Sequence, residues 1–128
     1  MVAQTTQGVK VSVEAYFQQE YSDSDKREFF FAYRITIENF SEHAIRLLRR
    51  HWHIFDSIGT YREVEGEGVV GKQPLLEPNQ SHQYVSGCNI KSEIGRMCGN
   101  YLMERVADGK TFSVNIPEFQ MFVPYILN

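Results

Sequence analysis

The segment FFFAYRITIENF, residues 29–40, constrains the fold more than any other stretch of this chain. Phe29, Phe31, Tyr33, Ile35 and Ile37 fall on one parity, while Arg34, Thr36 and Glu38 fall on the other. Side chains alternate across a strand with period two, so this pattern specifies a half-buried β-strand and forbids an amphipathic helix. The same alternation precedes it. From Gly8 onward Val9, Val11, Val13, Ala15 and Phe17 share one face, with Lys10, Ser12, Glu14 and Tyr16 on the other. The polar run QQEYSDSDKRE separates the two strands.

Beyond residue 44 the β character continues through IRLLRRHWHIFDS, ends at a turn around Gly59, and resumes in SHQYVSG. Between them YREVEGEGVVGKQPLLEPNQ reads as loop and edge, because Pro74 and Pro78 exclude both a regular helix and a central strand. RMCGNYLMERV and KTFSVNIP form two strands joined through Ala107, Asp108 and Gly109, an Asp-Gly pair that favours a tight hairpin, and IPEFQMFVP closes the chain as a short extended piece. About seven strands without a helical period predict an all-β, immunoglobulin-like antiparallel sandwich with Greek-key connections, in which Trp52 is a candidate core residue.

At 128 residues the chain has the length of one domain, residues 1–128, with enough material for a single core. Its net charge of -3 and its scattered Lys and Arg argue against nucleic acid as a partner. MVAQTTQG does not read as a secretory leader, and no apolar run reaches membrane-spanning length, so the expectation is a cytoplasmic protein away from the membrane. In that compartment Cys88 and Cys98 are expected to be free thiols.

Residues 66–71, GEGVVG, match G-x-G-x-x-G. In a dinucleotide-binding fold those glycines open a helix whose N-terminus faces the pyrophosphate, and the two prolines that follow here prevent that helix. Two readings stay open. Gly66, Gly68 and Gly71 supply unusual backbone angles or remove side-chain bulk at a bend. Alternatively, backbone amides of the bend form a nest for a phosphate or pyrophosphate, with Lys72 or Arg50 as counter-charge.

In IRLLRRHWHIF, Arg50 shares parity with Trp52 and Ile54, so an inward-facing Arg50 needs a carboxylate or several carbonyls unless a bulge intervenes. His51 and His53 lie on one side of the same strand, a spacing that presents two imidazoles to one divalent cation. No G-x-S-x-G, H-E-x-x-H or Walker signature is present, and Ser86 and Cys88 have no local catalytic context, so the chain reads as a non-enzyme.

The segments FAYRITIENFSE, RRHWHIFDSIGTYREVEGEGVVGKQPLLEP, YVSGC, GRMCGNY and FSVNIPEF together resemble the ApaG domain family across nearly the whole chain. The most specific marks are R-H-W at Arg50–Trp52 and G-x-G-V-V-G-x-x-P-x-L from Gly66 to Leu76. S-G-C at Ser86–Cys88 and the run of Gly95, Met97, Gly99 and Tyr101 agree with it. The resemblance implies a fibronectin type III-like sandwich and a pyrophosphate role for Gly66, Gly68 and Gly71. It also implies a link to cobalt tolerance and magnesium efflux in bacterial members, and protein recognition in eukaryotic ones. The resulting expectation is a non-catalytic module that binds a protein partner through the glycine bend and a neighbouring strand edge. The alternatives are a phosphate or pyrophosphate binder using Gly66, Gly68, Gly71, Lys72 and Arg50, and a divalent-cation binder using His51 and His53. An uncovered edge could also pair two copies of the chain.

Overall fold

The computed structural model describes residues 1–124. It is a sandwich of two antiparallel sheets built from nine strands: β1 Val2–Thr6, β2 Val9–Phe17, β3 Phe29–Asn39, β4 Ile45–Asp56, β5 Tyr61–Glu67, β6 Leu75–Leu76, β7 Ser81–Ile90, β8 Ile94–Arg105 and β9 Thr111–Phe122. The first sheet has the order β1-β2-β3-β7 and the second β5-β4-β8-β9, with β6 paired to the start of β4.

Nine strands replace the expected seven for physical reasons. β1 carries no alternating apolar pattern and is almost wholly exposed; backbone pairing to β2, not a buried face, makes it a strand. β5 is an exposed edge strand without a buried face, and β6 is a two-residue pairing that buries only Leu76, too short to show a period. KTFSVNIP and IPEFQMFVP are one strand, β9, whose register slips by a residue opposite Met97–Gly99. Pro117 sits at that irregularity on an edge strand, one of the few places a sheet accepts proline.

The core lies between the sheets. Val9, Val11 and Val13 from β2 and Phe31, Ile35 and Ile37 from β3 meet Ile45, Leu47 and Trp52 from β4. Trp52 is 2% exposed and its ring meets those of Tyr33 at 5.4 Å and Phe119 at 5.9 Å, both with edges turned towards faces.

Ile45 and Leu47 are inward at odd positions, whereas Trp52 and Ile54 are inward at even ones. The β4–β8 register shifts between Leu47 and Arg49, so Leu48 is the bulge residue that switches the parity. The bulge does not turn Arg50 outward. It places Arg50 on the core side, level with Tyr101 of β8.

The two long sides of the sandwich differ. On one, β1 and β2 close against β9, and the Asn115 N–H donates to Thr6 Oγ1 at 3.2 Å. On the other, β7 and β5 are the outermost strands of their sheets among the described residues. Arg62 of β5 reaches β7 at one end, its Nη2 lying 3.2 Å from Cys88 Sγ and 2.5 Å from Asn89 O.

Candidate functional site

The open side carries the glycine bend. β5 ends at Glu67, and Val69 and Lys72 then exchange backbone hydrogen bonds of 2.8 and 3.0 Å. Val70 and Gly71 between them both have positive φ, 46° and 75°, which is a type I′ turn. Such a turn favours Asn or Gly, and a β-branched valine there stores about 1–3 kcal/mol of strain. Buried Val69 anchors the turn, and Val70 at its tip is 62% exposed.

The other two glycines answer to different neighbours. Gly68 has φ of +65°, and a Cβ on it would lie 2.2 Å from the Lys72 carbonyl oxygen. A Cβ on Gly66 would lie 2.7 Å from both Nη atoms of Arg50, so the guanidinium covers that residue. The Gly68 and Val69 amides are turned inward, donating to Leu48 O and Lys72 O at 2.8 Å each. The positive charge at this bend belongs to Arg50 and Lys72.

Arg50 donates from Nη1 to the carbonyls of Glu67 and Gly68, both at 3.1 Å, and forms no ion pair among the described residues. Several carbonyls therefore take the place a carboxylate would have held. The guanidinium charge acts on three phenols, buried Tyr33 and Tyr101 and half-buried Tyr84. Tyr84 and Tyr101 share a 2.5 Å hydrogen bond, and burial raises the pKa of Tyr33, Tyr84 and Tyr101 while the Arg50 charge opposes that rise at each. The same side holds Lys72, whose charge adds to burial in lowering the His82 pKa.

Beside this group runs the free edge of β7. The Asn39 N–H donates to Gln80 O, and hydrogen-bonded pairs alternate along an antiparallel ladder. His82, Tyr84, Ser86 and Cys88 therefore direct their backbone groups to β3. Ser81, Gln83, Val85, Gly87 and Asn89 direct theirs away from the sheet, as the Arg62 contact to Asn89 O confirms. No residue of Ser81–Ile90 is Asp, Glu, Lys, Arg or Pro, and Val85 at mid-strand is 56% exposed. Sequence reasoning missed this edge. Its signal, a strand without a gatekeeping charge, was present but could not be assigned to an edge without the pairing order.

The outer face of the second sheet carries the other cluster. His51 and His53 stand side by side on β4 with ring centroids 4.5 Å apart. The β4–β5 register sets Glu65 opposite His51 and Glu63 opposite His53. His51 Nδ1 lies 3.3 Å from Glu65 Oε1, His51 Nε2 3.6 Å from Glu63 Oε2, and His53 Nδ1 3.6 Å from Glu63 Oε1. Tyr61 completes the group: its hydroxyl donates to Glu63 and lies 2.7 Å from His53 Nδ1. The hydrogen bond to Glu63 pushes the Tyr61 pKa up to about 12, and that bond, with the imidazoles behind it, holds Glu63 below the usual carboxylate range. His51 Nε2 is buried without a hydrogen-bond partner. The sequence singled out the two histidines but not Glu63, Glu65 or Tyr61, because only the β4–β5 register brings those residues of β5 beside them.

The glycine bend and the imidazole pair are thus brought to two separate places, the open side and an outer face. Cys88 and Cys98 are both free thiols, and burial raises the pKa of each. Among the described residues no helix is long and apolar enough to cross a membrane.

Residues 19–105 match the model of the ApaG domain family. A Protein ApaG of Sinorhizobium fredii is 46% identical over 119 residues, covering 93% of this chain and 91% of that protein. A Protein ApaG of Proteus mirabilis is 40% identical over 124 residues, covering 97% and 98%. A crystal structure from Bordetella pertussis superposes with a TM-score of 0.87 at 37% identity, covering 97% of this chain and 98% of its own.

Proposed function

The chain belongs to the ApaG domain family, and we propose that it works as a cytoplasmic, non-catalytic recognition module that binds an extended, acidic segment of a partner protein along β7. The observation that carries this reading is the β7 edge: the outward rungs of backbone donors and acceptors at Ser81, Gln83, Val85 and Gly87, without a gatekeeping charge or proline. An added strand satisfies those groups directly and alternates its side chains between the outer surface and the space between the sheets. Inward side chains of that strand would approach Tyr84 and the Arg50 guanidinium, which has only carbonyl partners among the described residues. A carboxylate fits there because a charge-assisted hydrogen bond is stronger than a neutral one. A catalytic role has little support at this edge, since Cys88 faces Arg62 rather than a base and burial raises its pKa.

Selection of a random peptide display library on the immobilised protein, followed by amide-resolved NMR titration with the recovered peptides, tests the reading. The expected peptides carry Asp or Glu within a β-branched run and perturb Ser81, Gln83, Val85 and Gly87, and Arg50→Met abolishes their binding. Recovery of basic peptides, or shifts centred away from β7, would overturn it.

A second reading, a phosphate or pyrophosphate ligand, keeps one supporting observation: Arg50 and Lys72 flank the bend with no carboxylate partner among the described residues. Pyrophosphate at 100 times its dissociation constant should then stabilise the fold by about 2.7 kcal/mol. An unchanged melting temperature at millimolar pyrophosphate removes it.

A further inference from the structure

We propose that His51, His53 and Glu63 form a binding site for a transition-metal dication of the Zn²⁺, Co²⁺ or Ni²⁺ class on the outer face of the second sheet. The site is independent of the β7 edge. One ligand atom from each of the three residues lies within 4.8 Å of the others, so small rotamer changes close the set around one ion.

The spacing favours an ion over a direct salt bridge. His51 Nε2 to Glu63 Oε2 is 3.6 Å, too long for a hydrogen bond. Two ligands held about 2.0–2.2 Å from one tetrahedral ion are roughly 3.4 Å apart, close to that distance. His51 Nε2 is also buried with no hydrogen-bond partner, as a ligand nitrogen without its ion would be.

The surrounding groups orient the ligands as partners of metal-bound histidines do. Tyr61 has a single hydroxyl hydrogen and donates it to Glu63, so at the 2.7 Å contact His53 Nδ1 is the donor and Nε2 keeps its lone pair. Glu65, 3.3 Å from His51 Nδ1, favours the same tautomer there and leaves Nε2 of His51 as the ligand atom. Two imidazoles and one carboxylate suit borderline transition metals, whereas Mg²⁺ and Ca²⁺ take oxygen ligands. With three protein ligands, at least one coordination position is left for water or an external donor.

Calorimetric titration of the metal-stripped full chain with Zn²⁺, Co²⁺ and Mg²⁺ tests the site, together with Co²⁺-induced broadening of amide NMR signals in the unaltered protein. The expected result is one Zn²⁺ or Co²⁺ per chain with micromolar affinity, little response to Mg²⁺, and broadening centred on His51, His53 and Glu63. The His51→Ala/His53→Ala double variant should lose the site, Glu63→Gln should weaken it about 100-fold, and Tyr61→Phe about 10-fold. Because the cluster lies on an exposed face, circular dichroism will show whether each variant is folded, and the broadening experiment needs no variant. No heat with either transition metal at about 1 mM, broadening centred elsewhere, or undiminished binding by the folded double variant would overturn the proposal.

Discussion

β5 and β7 are the two strands that border the open side of the sandwich, and they solve the problem of an edge in opposite ways. β5, YREVEGE, puts Glu63, Glu65 and Glu67 at alternate positions, so the strand repels further pairing. The same periodicity delivers Glu63 and Glu65 to the imidazoles of β4, and the protective charges become the acidic half of a cluster. β7, SHQYVSGCNI, has no Asp, Glu, Lys, Arg or Pro, and Asn89 O, met by Arg62, is the one outward backbone group occupied among the described hydrogen bonds. One edge is guarded by acidic side chains; the other carries no charged gatekeeper. A single sandwich can therefore present two chemically different surfaces without any change in its core.

The sharpest test of this contrast is a pair of prolines on β7. Ser86→Pro removes an N–H that the ladder directs to Tyr33 and should cost about 3 kcal/mol or more, read as the shift of a urea midpoint. Val85→Pro removes an outward N–H and should cost about 1 kcal/mol. A larger loss for Val85→Pro than for Ser86→Pro would mean that the free edge has been assigned to the wrong parity.

The next effect separates two glycines of the bend. Gly68→Ala sets a Cβ against the Lys72 carbonyl at a positive φ, and backbone cannot easily yield, so about 2–3 kcal/mol should be lost. Gly66→Ala meets only the end of the flexible Arg50 side chain and should cost about 1 kcal/mol or less while displacing the guanidinium. Thermal denaturation of the two variants decides; if Gly66→Ala is the costlier, Arg50 is held more firmly than its two carbonyl contacts account for.

The smallest effect compares thiols. Burial raises both cysteine pKa values, so at pH 8 each carries less thiolate than an ordinary cysteine and alkylates slowly. Raising the pH should speed both reactions, with Cys98 ahead of the more buried Cys88. Mass spectrometry of a timed iodoacetamide reaction reads the order, and faster modification of Cys88 would show that the Arg62 bridge to β7 opens readily.

Period-two patterning was sufficient to identify β2 and β3, because each buries one face and therefore records its burial in residue choice, while β4 was read from its β-rich composition and the β8–β9 hairpin from its Asp-Gly turn. β1 was not legible, and β5 and β6 only as part of a stretch of loop and edge, since exposed or very short strands leave no such record. The parity conflict around Arg50 announced either a bulge or a set of polar partners. Both exist: the bulge is at Leu48 and the partners are the carbonyls of Glu67 and Gly68.

By itself the sequence determined the all-β class, the inward Trp52, the bend at Gly66–Gly71 and the common side of His51 and His53, all of which depend on local spacing. Tertiary structure alone decided that Glu63 and Tyr61 join those histidines, that Arg50 covers Gly66, and that β7 rather than β5 offers an unguarded edge. Those facts depend on which strands lie side by side and in what register, and pairing between distant strands is set by packing of the whole core rather than by any single segment.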